Sequence, residues 1–271
     1  TPDGKILDKA STATPETLEE LLAWLDQRLS ERDYRGIAMS VPGAVHQETG
    51  VIEGISAIPY IHGFSWYEAL AHHKLPIHLE NDANCVGLSE LLAHPEIENA
   101  ACVVIGTGIG GAMIINGKLH RGRHGLGGEF GYMTTIEPAE RLNNWSQLAS
   151  TGNMVRYVIE KSGQTDWDGR KVYQEAAAGN ALCQEAIERM NRNLAQGLLN
   201  IQYLIDPDVI SLGGSISQNP DFIKGVQKAV DAFVERYEEY TIAPVIQACT
   251  YQADANLYGA LVNWLQEENQ W

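Results

Sequence analysis

The apolar positions of this chain change period several times, and each change marks an element. Leu18, Leu21, Leu22, Leu25 and Leu29 recur at three- and four-residue steps, the spacing of one face of an amphipathic helix. Thr14-Pro15 ahead of them supplies an N-cap and a first-turn proline. The run Gly36 to Val41 is short, apolar and halted by Pro42-Gly43, which predicts a buried strand ending in a turn. Ile77-His78-Leu79-Glu80 predicts a second strand, ending at Asn81-Asp82, and Ala101 to Ile105 a third. The third runs straight into Gly106-Thr107-Gly108-Ile109-Gly110-Gly111. Ala112 to Ile115 then reads as strand up to Asn116-Gly117, the strongest short hairpin signal, before Lys118-Leu119. From about Asn144 to Ile205 the spacing is mostly helical. Asp208 to Leu212 is a strand stopped by Gly213-Gly214, followed by a helix, a strand near Val245-Ile246 and a closing helix with Leu257, Leu261 and Leu265.

Strands alternating with helices argue for an α/β chain, with no internal repeat, low-complexity tract or Gly/Ser linker. At 271 residues the chain exceeds the usual single-core size, so two lobes with a cleft are expected. A formal net charge of −16 opposes a phosphate backbone, which excludes free DNA or RNA as the expected partner. It does not exclude a nucleotide, which backbone N–H groups and a divalent cation can hold inside an acidic protein. Cys85, Cys102, Cys183 and Cys249 are widely spaced and read as buried free thiols rather than a disulfide framework or a metal site. Neither a long apolar span nor a basic-then-apolar leader is visible, so a reducing cytoplasm is the expected location.

Two segments carry chemistry. Gly106 to Gly111 matches G-x-G-x-x-G in form, but a dinucleotide fingerprint needs a helix after it, and here a strand is predicted. The other use of such a turn is to present backbone N–H groups, with the Thr107 hydroxyl, to phosphate oxygens; the plain alternative is a tight turn needing glycine for its dihedral angles. Glu80-Asn81-Asp82-Ala83-Asn84 sets acids and amides at the carboxyl end of a strand, where α/β sheets bind ligands. A carboxylate there can accept a proton from a sugar hydroxyl while amides hold its neighbours, or Asn81 or Asp82 can simply cap the following helix. Gly127 to Tyr132 adds the Glu129 carboxylate and the Tyr132 phenol as a candidate hydroxyl clamp. His120 and His124 are spaced by four, but Arg121-Gly122-Arg123 disfavours the helix that would join them around zinc. No Walker lysine, protein-kinase loop or nucleophile elbow is present.

Taken in order, Ser40-Val41-Pro42-Gly43, Glu80 to Asn84, the Gly106 to Gly111 turn, Gly128-Glu129-Phe130-Gly131 and Leu212-Gly213-Gly214 resemble the ROK family of sugar kinases and sugar-responsive repressors. The resemblance spans nearly the whole chain. It implies a two-lobed actin-like ATPase fold related to ribonuclease H, with a smaller lobe of residues 1–99 and 256–271 and a larger one of 100–255. Sugar and ATP-Mg²⁺ would meet in the cleft. By position it implies Asp82 as the base, Asn81 and Glu129 as sugar ligands with Gly43 and Tyr132 beside them, Gly106, Thr107 and Gly108 at the ATP phosphates, and Gly213 and Gly214 beside adenosine. A homodimer is the family expectation.

Three departures shape what is carried over. The family opens with a strand and an Asp-x-Gly-Gly-Thr phosphate loop, whereas this chain starts at Thr1-Pro2-Asp3-Gly4, which looks like the turn after that strand; an amino-terminal piece is expected to be missing. Met133 to Gly152 has no cysteine or histidine, so the zinc found in many relatives is not expected, and a family glutamate is replaced near Ser146-Gln147. The usual Gly-His after the loop glutamate is Gly131-Tyr132. These changes point towards a zinc-lacking branch similar to β-glucoside kinases. A non-catalytic sugar-sensing regulator is the rival within the family, and a Rossmann oxidoreductase the rival outside it.

Overall fold

In a computed structural model the placement of residues 1–54, 56–136, 142–237 and 239–271 is described. After an extended amino-terminal segment, helix α1 (Leu18–Ser30) begins three residues later than Thr14-Pro15 suggested. The Thr17 hydroxyl accepts the Glu20 N–H and so supplies the cap. Strands β1 (Ile37–Val41) and β4 (Ile77–Asn81) pair in parallel, Val41 opposite Asn81. Between them lie a small antiparallel hairpin of β2 (Ala44–His46) and β3 (Val51–Glu53), not anticipated from the sequence, and the short helix α2 (Trp66–Ala69). Ile37, Val41, Ile52, Ile61, Trp66, Leu70 and Leu79 form one buried cluster here, covered by the leucine face of α1.

The second sheet is mixed, ordered β11-β10-β5-β6-β7: β5 (Ala100–Ile105), β6 (Ile109–Ile115), β7 (Lys118–Leu119), β10 (Val209–Gly213) and β11 (Ile246–Ala248). β10 runs parallel to β5 and β11, while β5, β6 and β7 form a meander. The predicted hairpin is present, with Asn116 and Gly117 both at positive φ, 53° and 69°, as a type I′ turn demands. A further hairpin, β8 (Thr134–Ile136) with β9 (Leu142–Asn144), precedes the helical stretch. That stretch resolves into α4 (Trp145–Ala149), α5 (Thr151–Ser162), α6 (Gly169–Ala177) and α7 (Ala181–Ile205), and α8 (Pro220–Arg236) links β10 to β11. The large core lies between this sheet and α4, α5, α7 and α8, with Met190, Leu194, Leu198, Ile210 and Phe222 at its centre.

Helix α3 (Asp82–Ala93) leaves the end of β4 and is buried from Ala83 to Leu91. It has no polar face because it packs against α9 (Ala255–Glu267) as well as β5 and β6. Small residues permit this close approach: a Cβ on Gly87 would lie 2.5 Å from that of Ala112. Buried Glu90 accepts from the Thr250 N–H at 2.8 Å and the Ser211 hydroxyl at 3.1 Å, so the helix is tied to β10 and to the chain beyond β11 by a satisfied carboxylate. In α9 the expected leucine stripe is only partly right. Leu265 is buried but Leu257 is 54% exposed, because Ala255, Gly259 and Ala260 provide the flat face that meets α3. The four free cysteines are buried. Among the described residues no helix is long and apolar enough to cross a membrane.

Candidate active site

The end of β4 is held by a dense set of side-chain bonds. Asn81 is the N-cap of α3: its Oδ1 accepts the N–H groups of Ala83 and Asn84 at 2.9 and 3.1 Å. Its Nδ2 donates to the Gly43 carbonyl and to Asp82 Oδ1, both at 3.1 Å. Of the two readings of this pentapeptide, the helix cap falls to Asn81 and leaves Asp82 free of that duty. Asp82 Oδ1 also accepts the Ala83 N–H at 2.8 Å, and the carboxyl group looks into a cavity of about 500 Å³. Burial pushes the Asp82 pKa upward against the pull of these hydrogen bonds.

Across the cavity stands Glu129, half-buried at the start of a 3₁₀ turn formed by Phe130 to Tyr132. Its pKa is raised by burial and then by the charge of Asp82, which marks the two carboxylates as near neighbours. Tyr132 reaches the rim and is 73% exposed. The turn between β5 and β6 also borders the cavity: Gly106, Thr107 and Gly108 are exposed, and Gly106 and Gly108 line it. The Gly106 N–H closes the turn on the Gly108 carbonyl at 2.9 Å. No atom would lie within 4 Å of a Cβ on Gly106, so this glycine leaves open space rather than relieving a clash. The last two glycines of the motif do something else. They lie in β6, where a Cβ on Gly110 would press on Ala83 at 3.2 Å and one on Gly111 would meet the Gly128 carbonyl at 2.7 Å. A strand, not a helix, follows the turn, and the Rossmann oxidoreductase reading fails on that point.

Of the remaining expected site residues, Asn81, Gly43, Thr107, Gly213 and Gly214 are not among those lining this cavity. Gly43 sits at φ 103° with its carbonyl on Asn81. The Thr107 backbone packs against Gly152. Gly213 ends β10, and Gly214, at φ 89°, packs so closely on Ile105 that a side chain would strike its carbonyl. The chain leaves Gly214 into Ser215 and Ile216, which border a second cavity of about 440 Å³ shared with Thr151, Asp168, Arg170 and Tyr173. The hydroxyls of Thr151 and Tyr173 are buried without a hydrogen-bond partner, an arrangement that suits a polar ligand there. The sequence reading missed these residues, along with Asn144 and Asn256 of the first cavity; they come from segments that carry no motif. Among the described residues one trio of metal-binding side chains converges, Asp26 with His72 and His73. It lies between α1 and the turn after α2, where both histidines bond Asp26 Oδ1 at 3.0 and 2.7 Å.

The ROK family model matches residues 2–267. The chain belongs to the ROK family. A β-glucoside kinase of Listeria monocytogenes is 34% identical over 279 residues, covering 99% of this chain and 93% of that protein. A ROK family protein from Streptococcus pneumoniae TIGR4, solved in complex with sucrose, superposes with a TM-score of 0.98 at 87% identity, covering 100% of this chain and 94% of that one. The ROK hexokinase of Thermus thermophilus, 24% identical, shares the fold with a TM-score of 0.84, over 98% of this chain and 93% of its own. The fold is therefore the α/β actin-like ATPase fold of ROK sugar kinases.

Proposed function

We propose that this ROK protein transfers the terminal phosphoryl group of ATP to a hydroxyl of a sugar, with Asp82 as the general base and a glucose unit of a β-glucoside as the acceptor. One observation carries the reading: a partly desolvated carboxylate, relieved of capping by Asn81, shares a cavity of about 500 Å³ with an exposed glycine turn. The acceptor class is supported by the β-glucoside kinases among the relatives and by the lack of cysteine and histidine from Met133 to Gly152.

Phosphoryl transfer needs alignment and charge stabilisation more than covalent help. Asp82 would orient the attacking hydroxyl and take its proton as the bond to phosphorus forms. Glu129 and Tyr132 would hold neighbouring hydroxyls, with Asn81 fixing the loop that carries Gly43. The residues present fit a nucleotide: the open turn at Thr107 and Gly108 can approach phosphate oxygens closely, and the unpartnered Thr151 and Tyr173 hydroxyls border the cavity beyond Gly214. The adenosine would lie there. Asp82 and Glu129 are the only acids lining the first cavity among the described residues, so phosphate oxygens and water would supply most ligands of the accompanying Mg²⁺, whose charge would offset that of the phosphates. Buried free thiols support a cytoplasmic protein. Exposed Tyr203, Leu204, Tyr237 and Val245 support a homodimer.

The test is ADP release measured with ATP-Mg²⁺ and a panel of β-glucosides, free hexoses and amino sugars. Turnover greatest with β-glucosides and abolished by EDTA is expected. ATP binding with sugar binding but no turnover would favour the regulator; preference for free glucose would overturn the acceptor class alone.

A further inference from the structure

Glu80 is 2% exposed, and a carboxylate that deep is tolerated only when paired and fully bonded. Its Oε1 accepts the Asn81 N–H at 2.9 Å and the Asn84 Nδ2 at 2.8 Å. Its Oε2 receives Arg121 Nε at 2.6 Å. The same guanidinium reaches α9, with Nη2 on Asn263 Oδ1 at 2.8 Å and on Glu267 Oε1 at 3.3 Å. Arg121 also acts through its backbone, for its carbonyl accepts the Gly127 N–H at 2.9 Å and closes the loop that delivers Glu129. The side chain of Arg121 therefore grips the residue two before Asp82, and its carbonyl grips the residue two before Glu129.

We propose that Arg121 is a positioning residue that sets the separation of Asp82 and Glu129, and so the fit of the sugar between them; this rests on the kinase reading above. Four of the seven residues from Gly122 to Gly128 are glycine, and the loop is held by the Arg121 carbonyl at one end and by Gly128 packed on Ala112 at the other. Lysine could replace the charge of Arg121 but not its fork, which addresses Glu80 from Nε and α9 from Nη2.

The inference is tested by steady-state kinetics and thermal melting of the full chain bearing Arg121→Met, Arg121→Lys, or Arg121→Met with Glu80→Gln. Arg121→Met is expected to lower kcat/KM for the sugar by about tenfold or more while leaving the KM for ATP unchanged, with Arg121→Lys recovering only part. It also leaves a buried charge unpaired and should melt early. The double variant removes both charges, so its melting temperature should recover while its sugar kinetics stay impaired. An ion pair serving stability alone predicts the reverse, with kinetics returning as stability does, and that outcome overturns the proposal. So does a sugar kcat/KM within about twofold of wild type in every variant. A wild-type protein that neither turns over nor binds any sugar would remove the kinase reading, and this inference with it.

Discussion

The strand-to-helix junction at Asn81 and the strand-to-strand turn at Gly106 border the same cavity and are built on opposite plans. At the junction nearly every side chain is committed: Glu80 to Arg121 and Asn84, Asn81 to the helix cap and Gly43, and one oxygen of Asp82 to the backbone. At the turn Gly106 offers backbone and open space, with only the Ser146 side chain beside Gly108. The contrast is what the proposed roles require. A base must be held at one angle to one hydroxyl, which takes a network of directional bonds. A phosphate group presents many equivalent oxygens, and close approach matters more than any single contact.

If the junction supplies the base, the largest effect comes from Asp82→Asn. It keeps an oxygen to accept from Ala83, so the fold should survive with its melting temperature little changed, while kcat falls by about 10²- to 10⁴-fold. ADP release by the purified variant at near wild-type rate would break the comparison. A smaller effect sharpens the other side of it. A Cβ at Gly106 meets no atom within 4 Å, so Gly106→Val should leave folding and the KM for sugar intact, but its side chain enters the space proposed for phosphates. The KM for ATP should rise about tenfold, some 1.4 kcal/mol of lost binding. An unchanged ATP KM would reduce the turn to a structural feature.

The smallest effect concerns the coupling of the two carboxylates. Because burial raises the Asp82 pKa and the base works only when ionised, kcat/KM for the sugar should climb with pH through an acid limb lying above the ordinary aspartate value. The charge of Asp82 opposes ionisation of Glu129. Asp82→Asn removes that opposition, so the Glu129 carboxyl should titrate at lower pH than in the wild-type protein. NMR titration of the carboxyl groups reads this directly, and a Glu129 pKa that stays or rises would contradict the proximity of the two groups.

Much of this arrangement is legible in the sequence. Period and punctuation located β1, β4, β5, β6, β10 and most of the helices, and the Asn116-Gly117 hairpin formed as its dihedral preference required. The β2/β3 hairpin escaped because each strand has three residues, too few for an alternation to register. The start of α1 moved because Thr17 and Thr14 are both credible caps, and the Glu20 N–H reaches only the first. Asn144, Thr151, Tyr173 and Asn256 were missed for a different reason, since each enters a cavity wall from a segment with no motif of its own.

By itself the sequence determined which local conformations were available and which chemistry the chain could carry. Glycine, proline and apolar spacing act within a few residues, and the acid, amide and glycine clusters keep their order whatever surrounds them. Only the tertiary structure decided that Asn81 takes the cap while Asp82 faces the cavity, that Glu129 comes within electrostatic reach of it, and that Arg121 bonds to both arms of the site. Those outcomes depend on groups dozens of residues apart competing for the same hydrogen bonds, and that competition is resolved when the core packs.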